Sequence, residues 1–142
     1  MSIFTPAPAP WPSRMRSIVR IVFGVLFITF GTMKIFGWPH ISQPMPPMPP
    51  FSQMWIGGWM EIIGGLLISI GLFTRPVAFI LAGEMAVAYF QFHFPQGFWP
   101  QQNLGIGAVM YCWFWLYLAV AGAGVWSVDA AIARRRGERA NS

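Results

Sequence analysis

GGWMEIIGGLLISIGLFTRP, residues Gly57 to Pro76, is an apolar segment with a single carboxylate, Glu61, about a third of the way along it. Its length matches the ~20 residues a helix needs to cross a bilayer core. An acid inside such a span is the anomaly to explain. Gly57, Glu61, Gly64, Ile68, Gly71 and Arg75 recur at steps of four and three, which sets the acid and most of the glycines along one helix face. Small residues let a neighbouring helix approach closely, and a charge in hydrocarbon costs ~2.5 kcal/mol or more unless it faces a partner. Glu61 is therefore expected to face protein or water.

Working outward, the rest of the 142-residue chain has the composition of a lipid-embedded bundle: 56% of it is hydrophobic and only 9% charged. One membrane domain over residues 1–142 is expected. The net charge of +5 does not point to nucleic acid, because the nine Lys and Arg residues sit at segment ends and form no stripe with interleaved aromatics. Arg14, Arg16 and Arg20 precede the first apolar run, Arg75 lies between the second and third, and Arg134, Arg135, Arg136 and Arg139 follow the fourth. Lys34 alone is near the opposite side. The positive-inside rule then gives an all-α membrane protein, a four-transmembrane-helix bundle with both termini cytoplasmic. The Arg-rich start imitates a signal peptide, but no small-x-small cleavage site follows Phe30, so the first span is read as uncleaved.

The spans expected are about 18–37, 54–73, 76–94 and 104–126. A proline-rich tail, 1–13, is expected to be extended or disordered, and a proline-rich external loop, 38–53, to lie over the mouth of the bundle. In the first span Arg20, Gly24, Phe27, Gly31 and Lys34 share one stripe, with Arg20 and Lys34 near opposite ends, where long side chains can snorkel to the interface. Thr74, Arg75 and Pro76 leave only a tight turn between the second and third spans. The third span sets Glu84, Ala88 and Gln91 on one face, with Glu84 and Glu61 only ~6 Å apart in depth at ~1.5 Å per residue. The fourth presents Gly105, Ala108, Cys112, Trp115, Ala119 and Gly122 on one stripe. Trp38, Trp55, Trp59 and Trp99 outside and Trp126 inside form an aromatic belt, and Ser127 and Asp129 read as caps of a short amphipathic C-terminal helix.

These residues together resemble the DoxX family of small four-span bacterial membrane proteins. The resemblance rests on Arg20 with Gly24 and Gly31, GTMKIFG with Lys34, EIIGGLLISIGLFTR from Glu61 to Arg75, Glu84, Tyr111 with Cys112, and GAGVWSVD from Gly122 to Asp129. One departure stands out: where many relatives have a glutamate shortly after Asn103, this chain reads NLGIGA with Ile106, so a third intramembrane acid is missing. The resemblance implies a multi-pass protein of the bacterial inner membrane. It also implies a subunit of quinol oxidases, thiosulfate:quinone oxidoreductases or redox-stress complexes, with quinone as the associated cofactor. A redox protein subunit and further copies of the chain are the partners it suggests besides the lipid bilayer.

The chemistry concentrates at Lys34, Glu61 and Glu84, with Arg20 on the cytoplasmic side and Gln91 and Tyr111 as hydrogen-bonding neighbours. Arg75 and Asp129 belong to the cytoplasmic interface. Two acids at one depth in a low-dielectric bundle do not both ionise cheaply, so at least one is expected to keep its proton unless Lys34 compensates. Lys34 and Glu61, ~7 Å apart in depth at ~1.5 Å per residue, are within a lysine stem's reach. Two readings remain open: an ion pair that merely sets helix register, or a polar pocket that binds a quinone head group or another small polar molecule and moves protons. His40 and His93, the two histidines, fall at the outer edge and in loops, and neither they nor any other spacing suggests a haem or metal site. At the level of the whole protein, a non-catalytic subunit of a membrane redox complex competes with a self-contained proton or small-molecule carrier and with a membrane anchor for a partner.

Overall fold

Helices carry the whole architecture, and glycines decide how closely they pack. A computed structural model describes residues 9–40 and 46–140, with side chains to residue 138. Five α-helices run in order: α1 (Trp11–Phe36), α2 (Gln53–Ile70), α3 (Thr74–Ala88), α4 (Ile106–Ala121) and α5 (Val128–Ala140). A π-helical turn, Tyr89–His93, and a short 3₁₀ turn, Phe94–Gln96, extend α3. No strand occurs among the described residues.

Three stretches are long and apolar enough to cross a membrane: Trp11–Phe36, Gln53–Ile70 and Thr74–Gln96; α4, of 16 residues, is apolar but shorter. Every one of the four turns large apolar side chains outward, including Val22, Leu26 and Phe30 on α1, Ile63 and Leu66 on α2, Phe79 and Ile80 on α3, and Trp113 and Val120 on α4. In water a surface so apolar would drive association; against lipid it is the solvated face.

α1 and α2 meet backbone to backbone. A methyl group added at Gly65 would come within 2.9 Å of the Gly24 carbonyl, and one added at Gly31 would strike the Gly58 carbonyl. These two crossings, one turn-pair apart on each helix, let α1 and α2 make the closest contact in the bundle. On its adjoining face Gly64 receives Leu81 of α3, whose Cδ2 a methyl there would meet at 2.7 Å. The buried stripe of α2 is thus Gly58, Glu61, Gly64, Gly65 and Ile68, broader than the single face that four-and-three spacing suggests. α1 and α4 are held apart by aromatic rings: Phe23 on Phe114 at 4.3 Å and Phe27 edge-on to Trp115 at 5.2 Å. Phe27, Ile68, Leu81, Met85, Trp115 and Leu118 complete the core.

Several boundaries differ from the expected ones. Pro12 occupies the first turn of α1, where its missing N–H is no loss, so the helix starts at Trp11 rather than near Ile18; residues 1–8 lie outside the described residues. The α2–α3 turn is Gly71–Phe73, with Gly71 in the left-handed region at φ +72, and Thr74, Arg75 and Pro76 already form the first turn of α3. α4 ends at Ala121 rather than near Trp126, because Gly122 and Gly124 take φ of +77 and +83. Ser127 caps α5 through the Ala130 N–H at 3.1 Å, but Asp129 caps a different helix: its carboxylate accepts the Phe73 and Thr74 N–H groups, at 2.8 and 2.9 Å, at the start of α3.

Of the loop expected to be external, residues 41–45 lie outside the described residues. The Met48 N–H donates to the Lys34 carbonyl at 2.9 Å, which ties the returning chain to the end of α1, and Ser52 caps α2 through the Trp55 N–H at 3.2 Å.

Candidate functional site

The two ends of the bundle use their charges differently. At one end Arg20, fully buried, spends its guanidinium on backbone carbonyls. Its Nε donates to Ala123 at 2.8 Å, Nη2 to Trp126 at 2.6 Å, and Nη1 to Ser69 at 2.6 Å and to Ile68. Arg16 adds a bond to the Ala121 carbonyl at 2.5 Å. The last turns of α2 and α4 leave carbonyls without intrahelical partners and carry the negative end of the helix dipole, and both arginines satisfy them. Arg20 therefore does not snorkel. It is a cross-link, about 21 Å along α1 from Lys34 at ~1.5 Å per residue, and takes no part in the pocket proposed around Lys34.

At the other end Lys34 Nζ contacts Glu61 Oε1 at 2.6 Å, with the lysine side chain 16% exposed and the glutamate 3%. Local geometry explains the pairing. A methyl at Gly58 would lie 3.1 Å from Lys34 Cβ, so the absence of a side chain there lets the lysine stem run along α2 to Glu61, one turn further on. Glu84 approaches from α3, and a methyl at Gly57 would lie 3.2 Å from its Oε1. The two carboxylates thus meet α2 within one turn of each other. Oε2 of Glu61 and Oε2 of Glu84 are both buried without a hydrogen-bond partner among the described residues. Buried oxygens of this kind are costly unless something satisfies them.

A cavity of about 320 Å³ opens beside Glu84, between α2 and α3, with Lys34, Gln53, Gly57, Met60, Glu84 and Phe92 in its wall; Glu61 lies behind Lys34, outside that wall. Its size is that of a small-molecule site, mostly apolar with a few convergent polar groups. Gln91 does not face it as an α-helical register implies. The helix widens at Tyr89–His93, Gln91 is exposed, and its Oε1 accepts from Gln53 Nε2, closing a side-chain bridge over the cavity's rim. Tyr111 is buried in the aromatic layer against Phe27 at 5.0 Å and Trp115 at 5.5 Å, outside the cavity wall. Arg75 is exposed and Asp129 half-buried at the Arg20 end, both lining a separate cleft there.

Two contributors escape sequence reasoning. Gln53, on the cavity wall, is one polar residue among many at a span boundary. Asn103 is 1% exposed, accepts the Gly105 N–H at 2.8 Å and donates to the Gly97 carbonyl at 2.8 Å, so it shapes the loop that leads into α4. His93 Nδ1 lies 3.0 Å from the Asn103 carbonyl in the same loop.

Residues 15–94, which hold the Arg20 lock, the glycine crossings and the Lys34, Glu61 and Glu84 cluster, match the DoxX family model. The chain belongs to the DoxX family. An uncharacterised protein of Haemophilus influenzae is 37% identical over 116 residues, 80% of this chain and 87% of its own length. The Escherichia coli inner membrane protein YqjF is 32% identical over 124 residues, 83% of this chain and 92% of that one. The inner membrane protein YphA of the same species is 32% identical over 111 residues, 75% of each chain. No solved structure matches the chain. With its apolar helices and these relatives, this DoxX protein is a multi-pass protein of the bacterial inner membrane.

Proposed function

We propose that this DoxX protein is a quinone-linked accessory subunit of a membrane redox complex, with the cavity between α2 and α3 as its head-group site. The observation that carries the reading is the unpartnered buried Oε2 of Glu84, in the wall of a cavity that also holds Lys34, the partner of Glu61. A ring bearing carbonyl or hydroxyl groups fits this set. Lys34 has N–H donors beyond the one given to Glu61, and Glu84 accepts as a carboxylate and donates as an acid, so it can exchange a proton with a bound oxygen. A quinone, when bound, supplies the electron chemistry that no side chain here provides. Lys34 orients the head group, the Gln53–Gln91 bridge shields the rim, and Met60 and Phe92 exclude water.

The orientation inferred is four spans with both termini cytoplasmic, α4 crossing as a short helix of ~24 Å that a locally thinned bilayer accommodates. Its support is the charge distribution: eight of the nine Lys and Arg residues cluster at the Arg20 end, against Lys34 at the other. A reporter fused after Ser142 is expected to be active only in its cytoplasmic form, and periplasmic activity there overturns the orientation.

The binding reading is tested on the purified protein in mild detergent with a benzoquinone as probe, followed by tryptophan fluorescence. Saturable binding is expected in the parent, weakened about tenfold in Glu84→Leu, the loss of roughly one hydrogen bond to a buried head group. Absence of saturable binding by the parent sinks the reading. The runner-up is a self-contained proton carrier, favoured by the same juxtaposed acids; proton flux in liposomes holding this protein alone is its signature.

A further inference from the structure

The four membrane helices are joined unevenly. α1 lies on α2 through the glycine crossings and α3 packs along the length of α4, whereas α2 and α3 leave a crevice between them that narrows where Leu81 packs on Gly64 and where Glu84 approaches Gly57. The polar cavity occupies one end of this crevice. Adjoining it is a groove of about 430 Å³ with apolar side chains throughout, walled by Trp59, Ile63, Leu67, Val77, Ile80 and Leu81. Ile56 and Met60 line both spaces, so the polar cavity and the apolar groove adjoin along α2. The polar end sits at the Lys34 mouth of the bundle, and the groove runs toward the α2–α3 turn for ~18 Å of α2, from Trp55 to Leu67.

We infer that this crevice holds one amphiphile, an uncharged ring head beside Lys34 and Glu84 and its hydrocarbon tail in the groove walled by Ile63, Leu67 and Ile80. The inference rests on the head-group reading above and adds the tail as a determinant of affinity. Charge selects the head. Glu61 already neutralises Lys34 at 2.6 Å and the wall holds no second cation, so a phosphate or carboxylate head would find no free countercharge. Phospholipids and fatty acids are disfavoured for that reason, and a neutral carbonyl or hydroxyl ring is not. Continuity selects the tail. A free lipid chain can visit the groove from the bilayer, but a chain joined to a head already seated next door is held there at high effective concentration.

The test compares a tail-less benzoquinone with the same ring carrying a decyl chain, on the purified full-length protein, the groove-filling variant Ile80→Trp and the remote variant Val120→Trp. Ile80 is 57% exposed on the rim of the crevice and Val120 79% exposed on α4, so both sites accept an indole without displacing core. Because all three proteins share one detergent, partition of the decyl compound cancels in the comparison. The tail-less ring should bind all three alike, within about twofold, while the advantage of the decyl compound should fall about tenfold in Ile80→Trp alone. Ile63→Trp, on the opposite wall and 55% exposed, carries the same comparison if Ile80→Trp does not fold. An undiminished decyl advantage in a folded groove variant overturns the tail site and leaves the head site standing. Failure of the parent to bind either ring overturns both.

Discussion

Replacement of Arg20 by Met is expected to destabilise the protein by about 3 kcal/mol or more, the largest loss of any single substitution considered, because it strips partners from several buried carbonyls together. Arg20 donates to Ile68 and Ser69 at the end of α2 and to Ala123 and Trp126 beyond α4, so one buried side chain joins three segments. The loss should be visible as a fall in the melting temperature in detergent. Arg20→Lys is the informative control. An ammonium is a point donor with three N–H groups and cannot span the fork that reaches both helix ends, so lysine should recover less than half of the loss. Full recovery by lysine would mean that a positive charge near the helix dipoles suffices and that the guanidinium geometry is incidental.

This residue also marks what a sequence can and cannot disclose. The spacing of Arg20, Gly24, Phe27 and Gly31 identifies the buried stripe of α1 correctly, since all four are buried. It is silent on what Arg20 touches, because the carbonyls it meets lie 48 to 106 residues away and any residue type can present a carbonyl. The Lys34–Glu61 pair was accessible for the opposite reason: both groups are charged, rare in apolar spans and matched in depth, so few alternatives compete. Gln91 misled because a helical register is assumed to persist, and the π-helical turn at Tyr89–His93 rotates it out of line. Asp129 looked like the cap of the helix it begins and instead caps α3, a tertiary contact that a local motif cannot distinguish from a local one. The shortening of α4 was hidden in GAG at 122–124, where apolar composition continues but two glycines take left-handed angles.

The ion pair gives the second large effect. Lys34→Met leaves Glu61, 3% exposed, without its cation and should cost on the order of 3 kcal/mol, or force the acid to take up a proton. Glu61→Gln strands the lysine in turn, though less severely, since Lys34 is 16% exposed and its stem can reach toward the mouth of the bundle. The double variant removes both charges from the same buried site, so its loss should be smaller than the sum of the two single losses by at least about 1 kcal/mol, the coupling expected of contacting charges. Melting temperatures of the parent, the two single variants and the double variant in one detergent complete the cycle. Glu84 supplies an internal check, because its Oε2 is unpartnered and it lies on α3, outside the pair. Because Glu84 lines the cavity beside Lys34, Glu84→Gln should change stability differently in the double variant than in the parent, the coupling expected of neighbouring groups. Strictly additive losses for Lys34→Met and Glu61→Gln would show that the lysine is held by the bundle's mouth and not by Glu61, and the polar cavity would then depend on Glu84 alone.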